Sequence, residues 1–194
     1  MQVYVQVHHP ESDGYLGAPI GRKIAKFTVT DADLKKGKLD VGEIEVQAKK
    51  SHKIGETILD FEFKNENEVK RQTSEFKDQY VLIDFYVPWC KVCEKDTSKV
   101  QELVKSIGER GLSEKVTVLS LEGQDGSGPT KRAPAGSTKG WINGKLYPES
   151  GSGILSSLGV WSMPRYLLID PDRKLLYHGS IDGVEKALDQ IKSP

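Results

Sequence analysis

The stretch Tyr80-Val81-Leu82-Ile83-Asp84-Phe85-Tyr86-Val87-Pro88-Trp89-Cys90-Lys91-Val92-Cys93 decides the reading of this chain. Apart from Asp84, its first seven residues are β-branched, leucine or aromatic, as expected of a buried strand. Beyond Cys93, the residues Val100, Leu103, Val104 and Ile107 recur at helical spacing and predict an amphipathic helix over 91–109. Gly108 or Gly111 is placed to end it. The two cysteines are the only two in 194 residues, and they fall where a strand ends and a helix begins. Unpaired N–H groups and the positive end of the helix dipole meet at that point, and both favour a thiolate over a thiol. Cys90 comes first, is expected to be the more exposed, and has Lys91 beside it, so it is the expected nucleophile. Cys93 lies one turn in, within reach of a mixed disulfide formed at Cys90, and is the expected resolving thiol.

The run from Asp84 to Cys93 resembles the active-site stretch of thioredoxin-like proteins. A second stretch, Gly159-Val160-Trp161-Ser162-Met163-Pro164-Arg165-Tyr166-Leu167-Leu168-Ile169-Asp170, is similar to the segment of that family in which a cis-proline opens a strand beside the cysteine pair. A third, Lys53-Ile54-Gly55-Glu56-Thr57-Ile58-Leu59-Asp60-Phe61, resembles the opening strand of the extracytoplasmic branch that includes TlpA and ResA. The resemblance covers about 54–194. It implies an α/β protein with a thioredoxin-like central mixed sheet flanked by helices. It also implies a thiol–disulfide oxidoreductase that meets protein thiols or disulfides and an upstream redox partner, with no cofactor and with reduction the expected direction.

The same resemblance suggests roles for individual residues. Asp84, six residues before Cys90, stands where the family places a buried acid that relays the proton of the resolving thiol. An acid between Ile83 and Phe85 would be desolvated, with a raised pKa suited to proton transfer. Pro164 stands where the cis-proline does, so the Met163 backbone would pair with an extended substrate next to Cys90. Trp89 and Trp161 would flank the thiols as an apolar docking surface. Trp89, Lys91, Trp161, Met163 and Pro164 are thus the expected substrate-binding residues. Three positions depart from the family pattern. Lys91-Val92 lacks the proline that many reductants carry as the second residue between the cysteines, Arg165 stands where threonine is common, and Ser98 replaces a helix proline. The dipeptide between the cysteines tunes the reduction potential, which leaves the direction of the reaction to be measured.

The rest of the chain reads less directly. Residues 1–50 form a β-rich extension or the remnant of a preceding domain. Strands are expected at Val3–Val7, around Ile24, Phe27 and Val29, and around Ile44 and Val46, with Lys35-Lys36-Gly37-Lys38 as a solvated loop. A partner-docking module is the alternative for this part. The thioredoxin-like domain, 54–194, is expected to run as a strand at 57–63, the strand at 80–86, the helix, and a strand at 115–121. A Gly/Ser-rich insertion at about 122–153 then interrupts the rhythm; it holds eight glycines. Within it, Asn143-Gly144 between apolar residues signals a hairpin over 141–147. The insertion is therefore read as a hairpin on a flexible stalk, either a substrate-facing lip or a surface excursion, whose deletion would spare the core. A short helix at 152–158, the strand 165–169, a turn at 171–174, an edge strand at 175–178 and a last helix at 182–191, capped by Asp182, complete the chain.

Composition excludes several functions. Lys plus Arg and Asp plus Glu both number 28, so no net charge favours nucleic acid. No apolar run reaches the ~18 residues of a membrane span. Met1 opens at once into strand-like sequence, so the chain reads as a segment of a longer exported precursor; the resemblance to the TlpA and ResA branch implies an extracytoplasmic location, and a monomer is expected. Adjacent His8 and His9 would point to opposite faces of a strand, and His52 and His178 stand far from the cysteines, so no zinc site is expected. Two rivals to the oxidoreductase remain. One is a thioredoxin-like binding module with a structural Cys90–Cys93 disulfide. The other is a peroxidase, since 54–61 also resembles peroxiredoxins. Their pattern places Thr or Ser three residues before the cysteine, and Val87 occupies that position.

Overall fold

The computed structural model describes residues 2–7, 21–26, 28–37, 52–123, 132 and 140–191. It divides into two units, Met1–Lys50 and Ser51–Pro194. In the first unit, β1 (Gln2–Val7) pairs antiparallel with β2 (Gly21–Lys26), Val5 opposite Lys23. A short helix, α1 (Asp31–Lys36), follows where a loop was expected around Lys35 and Lys36. Its ends explain it. Thr30 and Asp33 form a reciprocal capping box, and Gly37 closes the helix at φ +62°. These are local contacts with no buried residue behind them, so no apolar periodicity announces the helix. The expected strand around Ile44 and Val46 lies outside the described residues.

The second unit is a seven-stranded mixed sheet. Its strands are β3 (Glu62–Asn65), β4 (Lys70–Gln72), β5 (Tyr80–Tyr86), β6 (Val116–Glu122), β7 (Trp141–Leu146), β8 (Arg165–Ile169) and β9 (Leu175–Gly179), in the order β4-β3-β7-β6-β5-β8-β9. β5, β6 and β7 run parallel, and β8 lies antiparallel to β5. The helices are α2 (Lys91–Glu109), α3 (Pro148–Ser157) and α4 (Val184–Leu188). Two apolar cores flank the sheet. Ile83 and Phe85 join Leu121, Leu167 and Leu155 of α3 on one side. Leu82 joins Val100, Leu103 and Ile107 of α2 with Val184 and Leu188 of α4 on the other. Fully burying each such side chain stabilises the fold by about 1.5–3 kcal/mol. α2 ends in a Schellman motif: Leu112 N–H donates to the Ile107 carbonyl at 2.9 Å, and Gly111 N–H to the Gly108 carbonyl at 3.0 Å. Gly111 takes φ +69° there.

Four expectations are corrected. The hairpin over 141–147 is a single strand, β7, set between β6 and β3, with Gly144 opposite Leu121 on one side and Asn65 on the other. Gly144 serves close packing: a Cβ there would lie 2.7 Å from Phe63 Cδ2 and 2.8 Å from the Lys64 carbonyl oxygen. The 122–153 insertion therefore contains a core strand and the first residues of α3. The expected strand at 57–63 begins at Glu62. Residues before it form a lead-in held by a single bridge, Thr57 to Lys174, and by Ile58 N–H on the Arg173 carbonyl at 2.9 Å. The expected helix at 182–191 is a 3-10 turn, Ile181–Gly183, followed by α4. Asp182 does not cap it but pairs with Lys99 of α2 at 2.9 Å. Helix α3 spans Pro148–Ser157 rather than 152–158, with proline in its first turn.

Candidate active site

Strand β5 delivers the chain to the site and α2 completes it. Side chains alternate along β5, so Leu82 and Asp84 share the face covered by α2, while Ile83 and Phe85 face away. After Pro88 and Trp89, Cys90 is the N-cap of α2, with φ −84° and ψ 105°. Its Sγ accepts the Cys93 backbone N–H at 3.1 Å. A sulfur thus occupies the place where a helix N-terminus offers its free donors. Cys90 and Cys93 are joined as a disulfide, their Cα atoms 5.2 Å apart. The pair is asymmetric: Cys90 is half-buried, whereas Cys93 is 2% exposed.

Cys90 opens onto a cleft of about 240 Å³ walled by Trp89, Trp161, Val160, Leu155 and Met163. Trp89 is 68% exposed, so it is no core filler. The Met163 carbonyl oxygen lies 3.7 Å from Cys90 Sγ. The Met163–Pro164 peptide is cis. Gly123, at the end of β6, backs onto Met163: a Cβ there would collide with the thioether and lie 3.4 Å from Leu155. Of the expected substrate-binding residues, Trp89, Trp161 and Met163 line the cleft. Lys91 and Pro164 are not among its lining residues, and Lys91 is exposed.

Asp84 is fully buried. Its Oδ2 accepts the Ser120 hydroxyl at 3.0 Å, and Ser120 Oγ accepts the Trp141 indole N–H at 3.1 Å. Arg132 brings its Nε to 3.2 Å from the same Oδ2, with side-chain exposures of 2% and 0% for the pair. The approach is an ion pair by distance, but the N–H is not aimed well enough for a directed hydrogen bond. The guanidinium also stacks 4.9 Å from the centre of the Tyr86 ring. Burial pushes Asp84 up to about 6. Arg132 and Ser120 hold it down against that push, and the nearby Asp96 carboxylate adds to it. Burial likewise raises the phenols of Tyr86 and Tyr166.

Sequence reasoning missed Arg132, Ser120, Trp141 and Tyr166. Parallel pairing sets Ser120 opposite Asp84, and antiparallel pairing sets Tyr166 opposite it. No local pattern around Arg132 marks it as buried. Arg165, beside Pro164, donates from Nη2 to Ser162 Oγ at 2.9 Å. Its charge and burial hold His178 of β9 down at about 4, burial being the larger cause.

Comparison with known proteins agrees with this geometry. A family model described as AhpC/TSA family matches residues 54–178. The chain is 27% identical over 133 residues to the thiol-disulfide oxidoreductase ResA of Bacillus thuringiensis (strain Al Hakam), covering 66% of this chain and 70% of the relative. Among solved structures, it is similar to the thioredoxin domain of a thiol-disulfide oxidoreductase from Bacteroides vulgatus, with a TM-score of 0.57 at 19% identity, over 70% of this chain and 97% of that one. It is also similar to an exposed lipoprotein thioredoxin of Streptococcus pneumoniae, with a TM-score of 0.50 at 21% identity, over 69% of this chain and all (100%) of that one. These two likenesses establish the thioredoxin-like fold. With its family match running from the lead-in through β9 and its cysteine pair at the head of α2, the chain belongs to the AhpC/TSA family.

Proposed function

We propose that this chain is a thiol–disulfide oxidoreductase that reduces disulfides in protein substrates through Cys90 and Cys93. The observation that carries this reading is the asymmetry of the pair: one sulfur opens on an apolar cleft, the other is buried behind it. In the reduced protein, the Cys90 thiolate attacks a substrate sulfur. A Cys90–substrate disulfide forms and the other substrate sulfur leaves as a thiolate. Cys93 gives its proton to Asp84, and its sulfur then attacks Cys90 Sγ. The second substrate thiolate leaves, and two electrons have passed to the substrate as the Cys90–Cys93 disulfide closes. An upstream dithiol returns the pair to its reduced state.

Trp89, Trp161 and Met163 form the docking wall, and the Met163 backbone beside Cys90 serves to align an extended peptide. Lys91 and Pro164 act from outside the cleft wall, Lys91 by its charge and Pro164 by its position next to Met163. Residues 54–194 carry this chemistry, and residues 1–50 form an extension to it. We place the protein outside the cytoplasm. Its likeness to ResA and to an exposed lipoprotein thioredoxin supports that location.

The test is insulin reduction together with the equilibrium potential of Cys90–Cys93 against glutathione. A reductase is expected near the thioredoxin value, about −270 mV, whereas a value near −120 mV would make the protein an oxidant. Cys90→Ser must abolish turnover, and Cys93→Ala must accumulate mixed disulfides at Cys90. A pair that neither reduces insulin nor oxidises a reduced protein would instead be a structural disulfide in a binding module. A peroxidase reading lacks support at Val87, which is apolar and 4% exposed.

A further inference from the structure

We propose that Arg132 is a positioning residue for the exchange reaction. In this role its buried guanidinium holds Asp84 as the carboxylate able to take the Cys93 proton, and lines the cleft through which that proton reaches solvent. This inference rests on the proton-acceptor reading of Asp84 given above.

Three observations carry it. Arg132 and Asp84 form an ion pair with almost no solvent contact, so neither charge has water as a substitute partner. Ser120 and Arg132 both approach Oδ2, and among the described residues Oδ1 has no hydrogen-bond partner. Oδ1 is therefore the oxygen left to receive a proton. Finally, a second cleft, of about 200 Å³, reaches the buried cysteine: Cys93, Tyr86, Pro88, Glu94, Thr97 and Arg132 line it. Trp89 and Cys90 line the first cleft but not this one, so substrate seated at Cys90 does not cover it.

The balance of charges around Asp84 sets the direction. Asp96 of α2 is an acid that disfavours the carboxylate; the Tyr166 hydroxyl of β8 favours it. Tyr86 on β5 itself is held neutral by burial and by the neighbouring carboxylates of Glu122 and Asp84. Arg132 is the cation that burial is set against. During closure, Cys93 S–H gives its proton to Asp84 Oδ1. The Cys93 sulfur pair makes the bond to Cys90 Sγ, and the bond from Cys90 Sγ to the substrate sulfur breaks with departure of a thiolate. Without Arg132, a larger fraction of Asp84 is protonated at neutral pH, and the protonated acid cannot accept that proton.

The experiment follows the Trp141 indole N–H and the Arg132 Nε–H by NMR in the full disulfide-form protein, from mildly acid to mildly alkaline pH. Trp141 is linked to Asp84 through Ser120, so its indole resonance should titrate with the carboxyl and cease to do so in Asp84→Asn. In the wild type, Arg132 Nε–H is expected to move with the same midpoint. Arg132→Met should raise that midpoint by about 1–3 pH units, and Arg132→Lys should raise it less. The acid limb of the closure rate of a Cys90 mixed disulfide should rise by the same shift, and the rate should rejoin the wild type at higher pH, which a damaged fold would not do. An Arg132 resonance that stays flat through the Asp84 midpoint would overturn the proposal, even if no variant folds. So would an Arg132→Met midpoint equal to or below the wild type. Closure unaffected by Asp84→Asn would instead remove the proton-acceptor reading itself.

Discussion

Asp84 shows what one buried group can do to both chemistry and stability. Its carboxyl titrates at about 6 in the fold, against 3.8 for the unperturbed group, because burial penalises the charge more than Arg132 and Ser120 recover. Between those two values the unfolded chain has lost its proton while the folded chain keeps it. Folding stability therefore falls as pH rises through this window, by about 3 kcal/mol over the roughly two-unit shift. Asp84→Asn removes this dependence. Its other cost, an unpaired buried Arg132, does not change with pH in this range. The stability of wild type relative to Asp84→Asn, read by urea denaturation, should accordingly worsen from pH 4 to pH 7. A constant difference would mean that the carboxyl is solvated. The cysteines give a second expectation at this scale. In the reduced protein Cys90 should alkylate well before Cys93, since Cys93 is buried at 2% exposure; equal labelling by mass spectrometry would contradict the assignment of nucleophile and resolving thiol.

Strand β7 is the element whose role the sequence conceals. Asn-Gly between apolar residues is the strongest short hairpin signal, yet here it lies mid-strand between parallel and antiparallel neighbours. Glycine is present because Phe63, the Lys64 carbonyl and Leu121 leave no room for a Cβ. Gly144→Ala should thus cost about 1–3 kcal/mol by overpacking. Gly153 of α3 is the control, with nothing within 4 Å of its Cβ position: Gly153→Ala should stabilise the helix by about 0.5–1 kcal/mol. Urea midpoints decide the matter, and a Gly144→Ala change within the ±0.5 kcal/mol of an ordinary surface substitution would remove the packing argument. For the same reason, deleting 124–150 should abolish folding, because it takes out a strand that bonds to both β6 and β3.

Across the whole second unit, Asp60 adds a side-chain clamp to the backbone contacts that tie the lead-in at 52–61 to the region of Arg173. Asp60 Oδ1 accepts Thr73 Oγ1 at 2.7 Å, Ser74 N–H at 2.9 Å and Arg173 Nη1 at 2.9 Å. Burial opposes ionisation of Asp60, but these donors hold it down to about 2. The sign is opposite to that of Asp84. The stabilisation is complete above the unfolded value of 3.8 and is lost as pH falls through about 2. Asp60 is partly solvated, so screening limits the effect to about 1 kcal/mol. Asp60→Asn should lower the melting temperature at neutral pH and match the wild type in strong acid. A variant as stable as the wild type at pH 7 would show that the clamp contributes nothing.

The sequence by itself determined those features that rest on local periodicity and on adjacency along the chain. A buried strand followed by an amphipathic helix placed two thiols at a helix start, and a glycine at 108 or 111 marked where that helix stops. Those signals are carried by residues three to four apart, and a reader of the chain has them all. The tertiary structure alone decided which residues meet. Ser120 and Tyr166 stand beside Asp84 through strand pairings 36 and 82 positions away. Arg132 lies 48 positions from Asp84, in a stretch whose sequence reads as a flexible stalk. Whether Gly144 turns the chain or lets strands pack depends on what lies against it, and those neighbours come from β3 and β6. A cation beside a buried carboxylate, and a glycine crowded by two strands, are contacts of high sequence separation. Only the closed fold brings their partners within a few ångströms, and so only the fold sets the charge of the acid on which the proposed exchange depends.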